Sequence, residues 1–498
     1  MDSHERKRVI WCGAGPSGKL YIELKNRGNV KLSLSSKRRP LNNLRAVRGI
    51  VVEFEGENST AYIQKVRKFA TQVLDHGIRV ALVINNVTSR RTEFDRAADY
   101  FRTERWNDQI RIFQERQITK FSNQIEPWAD MAEWLTRGYD PGPGQNSDLD
   151  IPDIELPDPE VDRILLARAF HDYEEIKLRA LGGGKSGSVV YYVTPRLPTK
   201  RLRSLPFLAK VGPKAKIREE LENYKNHVAT HVPFDHRPNC DGARTAIGRE
   251  RGILVQDFVE NSDTLSKLIK RSGTARLVTS LFDGPLRGWR NAAQRKTKAL
   301  FYSFPNLPSL ENKPVLAASA EYAQTIYGCK YDVSRLFCLL KNLAQIDHQE
   351  STAHFDLHSE NIFVTSHART LVLIDFGLTG GGPLVADPAC LEVDLAFKIA
   401  SDCAYKDRSE LYAYPLQSPS RWSMQIKYRW LRKAIRIIRE RGCDSEPSRD
   451  AYVFAVIRYL LRFAAYDDQG TEESRGQAYF FAATLAETLK ATMDGRHV

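Results

Sequence analysis

Short apolar runs punctuate the chain before Gly138, at residues 8–12, 30–34, 49–54, 79–84 and 110–113. Between the third and fourth, Ile63, Val66, Phe69, Ala70, Val73 and Leu74 recur at helical spacing, which predicts a crossover helix. Apolar strands alternating with helical crossovers predict an α/β domain over residues 1–138, built on a doubly wound parallel sheet.

Residues 138–162 break this rhythm with several prolines and acids and with no Lys or Arg. Proline removes ladder donors and like charges repel, so 139–162 reads as an extended, solvated linker or as a strap laid on a basic surface. Beyond it, residues 181–191 read as strand, glycine-rich turn and strand. Residues 206–211 form an apolar strand holding one lysine, and a helix begins near Ile217. Later stretches at 421–441, 452–466 and 478–489 carry apolar residues at helical spacing.

Composition narrows the class. The chain has 498 residues with 42% hydrophobic content, which excludes global disorder. Lys and Arg total 74 against 61 acids, a net charge of +13 that favours anionic partners without naming one. Seven scattered cysteines with no CxxC pair argue against a disulfide framework or a cysteine zinc site. No run of about 18 apolar residues occurs, so a soluble, cytoplasmic protein without a membrane partner is expected. Two basic concentrations stand out. Arg287, Arg290, Arg295, Lys296 and Lys298 lie in one stretch, and the cationic face of 421–441 is a solvated face or a surface for nucleic acid, an acidic partner or the linker. No nucleic-acid recognition motif accompanies either.

Gly13 to Lys19 satisfies GxxxxGK after a strand, but Leu20 follows where a phosphate loop offers a hydroxyl to Mg²⁺. The second strand runs out into Ser35-Ser36-Lys37-Arg38-Arg39 instead of an acid that would hold a ribose. A turn-forming glycine cluster fits better. The strand order and length of the N-terminal domain resemble a response-regulator receiver domain, a flavodoxin-like arrangement. Glu53 and Glu55 stand where a phosphorylatable Asp would be expected, and no acidic pair follows the first strand.

The residues with chemistry follow the linker. In the second glycine-rich turn, Gly182, Gly183, Gly184, Ser186 and Gly187 would let backbone amides approach phosphate oxygens. Lys210, on its apolar strand, needs an anionic partner if it points inward. Glu220 is preferred because it places Tyr224 one turn later, with Glu219 and Glu222 as alternatives. Gln256 and Phe258 lie where an apolar strand runs out into polar residues, a hinge against which an adenine edge would pair. Then comes His354-Phe355-Asp356-Leu357-His358-Ser359-Glu360-Asn361, followed by Asp375-Phe376-Gly377 at the end of the next strand. Asp356 and Asn361 can hold a hydroxyl and a metal on one face, and Asp375 can bring a second carboxylate to that metal. Mg²⁺ favours such hard oxygens and takes few of them from protein.

This series resembles the protein-kinase-like superfamily, in particular its aminoglycoside phosphotransferase and choline kinase branch. His354-x-Asp356-Leu357-His358-x-x-Asn361 matches that branch's HxDLHxxN, Asp375-Phe376 its IDF, and Asp387-Pro388 with Asp394-Leu395-Ala396 its downstream element. It is also similar to bacterial kinase-like domains, such as the ternary-complex-associated kind. The resemblance covers roughly Leu165 to the C-terminus. It implies an α+β bilobal fold with an N-lobe at 163–260, a largely helical C-lobe at 261–498 and an insertion near 274–327. It implies ATP and Mg²⁺, with Lys210 on the α- and β-phosphates and Glu220 orienting Lys210. Asp356 would deprotonate the acceptor hydroxyl, and Asn361 and Asp375 would hold the metal. His354 and His358 would brace the loop and Asp394 would fasten it from below. Phe355 and Ser359-Glu360 depart from the small residue and Pro-Gly common in the branch, yet remove no catalytic group. The expected function is γ-phosphate transfer from ATP to a hydroxyl acceptor, linked to an N-terminal regulatory domain that could receive a protein partner. A catalytically silent, nucleotide-binding adaptor is the alternative.

Overall fold

The computed structural model describes residues 8–12, 31–35, 47–54, 68–70, 72–84, 109–114, 127–136, 142–183, 187–197, 204–271, 274–367, 369–414, 416, 428–444 and 446–496. The cluster from Gly13 to Lys19, Gly184 and Ser186 of the second turn, and residues 421–427 lie outside them. The chain divides into two compact units, Met1–Leu221 with Cys240–Phe258, and Glu222–Asn239 with Val259–Val498. Among the described residues no helix is long and apolar enough to cross a membrane.

In the first unit, the N-terminal apolar runs form β1 (Arg8–Cys12), β2 (Lys31–Ser35), β3 (Val47–Phe54), β4 (Arg79–Ile84) and β5 (Ile110–Gln114). They pair in the order β2-β1-β3-β4-β5, and every pair is parallel. Successive strand residues point to opposite faces. Ile50, Val80 and Leu82 therefore meet Ala70, Val73 and Leu74 on one side. On the other side Val51, Ala81 and Val83 meet Met131, Ala132 and Leu135 of the helix Pro127–Thr136. Burial on both faces explains why these strands read as continuous apolar runs.

A second sheet in the same unit is antiparallel. It comprises β6 (Glu175–Gly183), β7 (Val189–Arg196), β8 (Phe207–Pro213), β9 (Ala246–Ile247) and β10 (Arg251–Asp257), in the order β6-β7-β8-β10-β9. The helix Pro159–Ala169, capped by Asp158 accepting the Val161 N–H at 3.3 Å, packs Leu165 and Leu166 into a core with Tyr191, Val211 and Ile253. The described part of the acidic segment is packed and not solvated. Leu149 and Leu156 are buried in that core, with Ile151 and Ile154 partly buried against it. The Asp150 N–H donates to Glu174 O at 2.9 Å and the Ile176 N–H donates to Asp150 O at 3.0 Å, so the segment extends the β6 edge. Arg163 reaches back to Ile151 O, Pro152 O and Asp153. The segment is a strap held by these backbone bonds and by the side chains of Arg163 and Arg168.

The parallel sheet is joined to the antiparallel one through a fully buried Arg168. It donates to Asp75 O at 2.7 Å, Pro143 O at 3.1 Å and Ile247 O at 2.8 Å. Asp75 accepts the Arg249 N–H at 2.9 Å, and Lys214 donates to Gln109 at 3.3 Å.

The second unit holds two small sheets among helices. One is β11 (Ser262–Thr264), β14 (Ile362–Thr365) and β15 (Leu371–Leu373); the other is β12 (Gln294–Lys298), β13 (Ile346–Ala353) and β16 (Gly380–Pro383). The helices Pro314–Tyr327, Asp450–Ala464 and Glu472–Arg496 pack together. The stretch 274–327 contributes Phe301, Phe304, Leu307 and Leu316 to the interior. Two of its cations are matched across the β12–β13 ladder, Arg295 with Asp347 and Lys298 with Glu350. The helix Arg429–Cys443 buries Leu431, Ile435 and Ile438 as its periodicity predicts, and also Arg439, which is bidentate to Glu392 at 2.9 and 2.6 Å.

Candidate active site

Lys210 sits on β8 with neighbours on both sides, opposite Val190 of β7 and Leu254 of β10. The helix Lys214–Asn223 follows directly. Lys210 Nζ lies 2.7 Å from Glu220 Oε2, with side chains 14% and 4% exposed. Glu219 instead faces Lys216 at 3.3 Å. Two charges withdrawn from water together hold each other in place, since either alone would be expensive to bury.

The same unit contains the glycine-rich hairpin of β6 and β7, whose register shifts between Ala180 and Gly182. Gly182 and Gly183 end β6. Gly187 has φ +74° with open space where a Cβ would lie, a backbone state other residues rarely adopt. Gln256 is buried on β10, and its Nε2 has no hydrogen-bond partner among the described residues. The Phe258 N–H is engaged with Pro206 O at 3.3 Å and its ring lies edge-on to Tyr192 at 4.7 Å. This amide is committed within the unit, which departs from a hinge amide presented to a base.

In the second unit, residues 354–361 form the loop between β13 and β14. Its backbone is fastened from below. The His354 and Phe355 N–H groups donate to the two oxygens of Asp387, each at 2.9 Å, and the Ser359 N–H donates to Asp394 at 2.8 Å. Burial pushes the carboxyls of Asp387 and Asp394 up, partly offset by these bonds and the nearby histidines. Phe355 has φ +61°, in the left-handed region. Its carbonyl accepts the Tyr459 hydroxyl at 3.0 Å and Arg462 Nη1 at 3.3 Å, and its ring packs against Phe304. A Cβ on Gly382 would overlap that ring. A bulky residue in this backbone state persists only where its surroundings over-determine it.

His354 makes a 2.9 Å contact from Nε2 to Ile374 O, and its ring lies 5.4 Å from that of Phe376. The loop is thereby braced against the segment carrying Asp375. Asn361 Nδ2 donates to Asp356 O at 2.9 Å, which leaves its side-chain oxygen to serve as a ligand. The Ile374 N–H donates to Asn361 O at 3.1 Å, and β14–β15 pairing sets Ile362 opposite Leu373. Asn361 and Asp375, which has φ +62°, are brought to the same end of one hairpin. Among the described residues no three His, Cys, Asp or Glu cluster for a metal. A hard cation held by this oxygen pair would take most of its shell from phosphates and water.

Asp356 carries the electrostatic signature of the site. Arg462 Nη2 lies 2.6 Å from Asp356 Oδ1, and His358 Nε2 lies 3.9 Å from the same oxygen. Burial alone would push the Asp356 carboxyl up, but Arg462, with His358 and His354, holds it below the ordinary carboxylate range. Burial pushes the His358 imidazole down against the opposing pull of Asp356 and Asp394. The sequence reading missed Arg462. Its one signal is a pair of arginines, Arg458 and Arg462, one turn apart in the otherwise apolar helix Asp450–Ala464.

No family model and no curated protein matches the chain. Among solved structures it is similar to an ethanolamine kinase of Plasmodium vivax, at 11% identity over 64% of this chain and 84% of the other, with a TM-score of 0.30. It is similar to a Haemophilus somnus protein described as a fructosamine-3-kinase, at 12% identity, 66% and 95% coverage and a TM-score of 0.33. It is also similar to an aminoglycoside-3'-phosphotransferase of type VIII, at 16% identity, 53% and 93% coverage and a TM-score of 0.30. Likenesses this distant assign no chemistry, which must come from the residues themselves.

Proposed function

We propose that this chain is an ATP- and Mg²⁺-dependent phosphotransferase of the protein-kinase-like kind, acting on a hydroxyl acceptor. The observation that carries this reading is Asp356, paired with Arg462 at 2.6 Å on a loop whose backbone is fastened by Asp387 and Asp394, beside the oxygen pair of Asn361 and Asp375. In this reading Asp356 orients the acceptor hydroxyl and takes its proton. The acceptor oxygen bonds to the γ-phosphorus while the bond from that phosphorus to the bridging oxygen breaks, releasing ADP. Lys210, held by Glu220, binds the α- and β-phosphates, and the glycine turn with Gln256 receives the rest of the nucleotide. Mg²⁺ bound by Asn361 and Asp375 would neutralise phosphate charge. The protein's share is alignment and electrostatics fixed before the reaction.

The N-terminal α/β domain serves in this reading as a regulatory or docking module for a protein partner. Supporting this, Gln109, just before its fifth strand, contacts Lys214, the first residue of the helix that carries Glu220. The test is turnover of γ-labelled ATP by the wild type and by Asp356→Asn, with nucleotide binding measured on both. A silent adaptor would bind nucleotide and give equal, background turnover.

A further inference from the structure

Building on the phosphotransferase reading, we propose that the acceptor carries an anionic group, a carboxylate or a phosphate monoester, beside the hydroxyl that is phosphorylated, and that Arg462 recognises it. Arg462 is the cation nearest the base, and its side chain is 28% exposed, so it is within reach of a ligand that approaches Asp356. One turn earlier, Arg458 is 2% exposed. It donates to Pro305 O at 3.1 Å and lies 4.2 Å from the Tyr459 ring, while its Nε and Nη1 have no partner among the described residues.

The other charged groups near Asp356 are already engaged. Asp387 and Asp394 direct oxygens to backbone N–H groups, and Lys398 is matched by Glu360 at 2.7 Å. Of the two guanidinium groups on this helix, Arg462 is paired with Asp356, and Arg458 meets no carboxylate among the described residues. A buried, unmatched guanidinium is costly, and an anion brought by a ligand would relieve it. Planar bidentate donors suit carboxylate and phosphate equally. A cationic amino alcohol would be repelled by both arginines, and a neutral polyol would leave them unmatched. On binding, the acceptor's anion pairs with the N–H donors of the Arg462 guanidinium that Asp356 and Phe355 O leave over, and Arg458, one turn away, adds positive charge. Asp356 then accepts the hydroxyl proton as the new oxygen–phosphorus bond forms and ADP leaves.

Four matched probes test this: glycerate, glycerol 3-phosphate, glycerol and 3-amino-1,2-propanediol. Each is assayed as acceptor from labelled ATP and, separately, for calorimetric binding to the full chain. Wild type, Arg462→Ala and Arg462→Lys are compared, and thermal melting checks folding. One or both anionic probes should exceed glycerol by about tenfold or more in kcat/KM or affinity, the scale of one charge-assisted contact. Which of the two wins tells carboxylate from phosphate. The ratio should collapse toward one in Arg462→Ala and survive in part in Arg462→Lys. Loss of rate with every probe at an unchanged ratio would mean that Arg462 only positions Asp356, and would overturn the proposal. So would an equal or better response to glycerol or to the amine in the wild type. Absence of ATP turnover with any acceptor would count against the phosphotransferase reading, and the binding arm still decides the anion claim.

Discussion

The carboxylate of Asp387 accepts the N–H of Phe355 at 2.9 Å and so secures a bulky residue at φ +61° directly before Asp356. Its other oxygen takes the His354 N–H. Asp387→Ala would leave both buried donors unsatisfied and should cost about 3 kcal/mol of stability, together with most of the turnover. Asp387→Asn, which keeps one acceptor oxygen, should cost less. Denaturant unfolding of the two variants checks this, and an Ala variant as stable as the wild type would refute it.

Lys210 and Glu220 should behave as a unit. Removing one partner strands the other charge in a site that is 14% exposed at most, so Lys210→Met or Glu220→Met should each cost about 3 kcal/mol. The double variant should be more stable than the sum of the two losses predicts. Both single variants should also weaken nucleotide binding. Additive losses in a double-mutant cycle would mean that the pair is not coupled.

The pH profile should reflect the pairing of Asp356 with Arg462. Because Asp356 is held below the ordinary carboxylate range, the acid limb of kcat/KM in the wild type should lie below where an ordinary aspartate titrates. In Arg462→Ala, burial acts without its counterweight and the limb should move upward. The same sign applies to stability. The ionised Asp356 contributes above its unfolded pKa, and that contribution is lost as pH falls through the lower folded one.

Glu446 gives the opposite dependence. Burial pushes its carboxyl from 4.5 up to about 7, although it accepts the Gln349 N–H at 2.9 Å. The folded protein therefore holds this proton more tightly than the unfolded chain. Stability from the group is complete below pH 4.5 and is lost as pH rises through about 7. Glu446→Gln should be more stable than the wild type at pH 8 by up to about 3 kcal/mol, and the gap should close toward pH 4.5. Melting curves at both pH values measure it.

Much of this was legible in the residues, for definable reasons. The parallel strands are buried on both faces, so their apolar runs stand out from polar surroundings. Lys210 and Glu220 are separated only by the end of a strand and the start of the helix that follows it directly, so local geometry relates them. The acidic strap misled because its prolines and charges mask Leu149, Ile151, Ile154 and Leu156, whose partial two-residue spacing is the mark of an edge strand. Arg462 was not legible because it lies over a hundred positions from Asp356, and no spacing rule links a helix residue to a distant loop. Arg439 was hidden for a similar reason: its partner Glu392 lies on another helix, so a cationic stripe gave no hint that one arginine turns inward.

The most direct test of the central claim is γ-phosphoryl turnover by Asp356→Asn, with Mg²⁺-ATP affinity measured on the same preparation. Affinity within about threefold of the wild type, with turnover lower by roughly a hundredfold or more, is the predicted result for loss of a general base. Turnover equal to that of the wild type would contradict it.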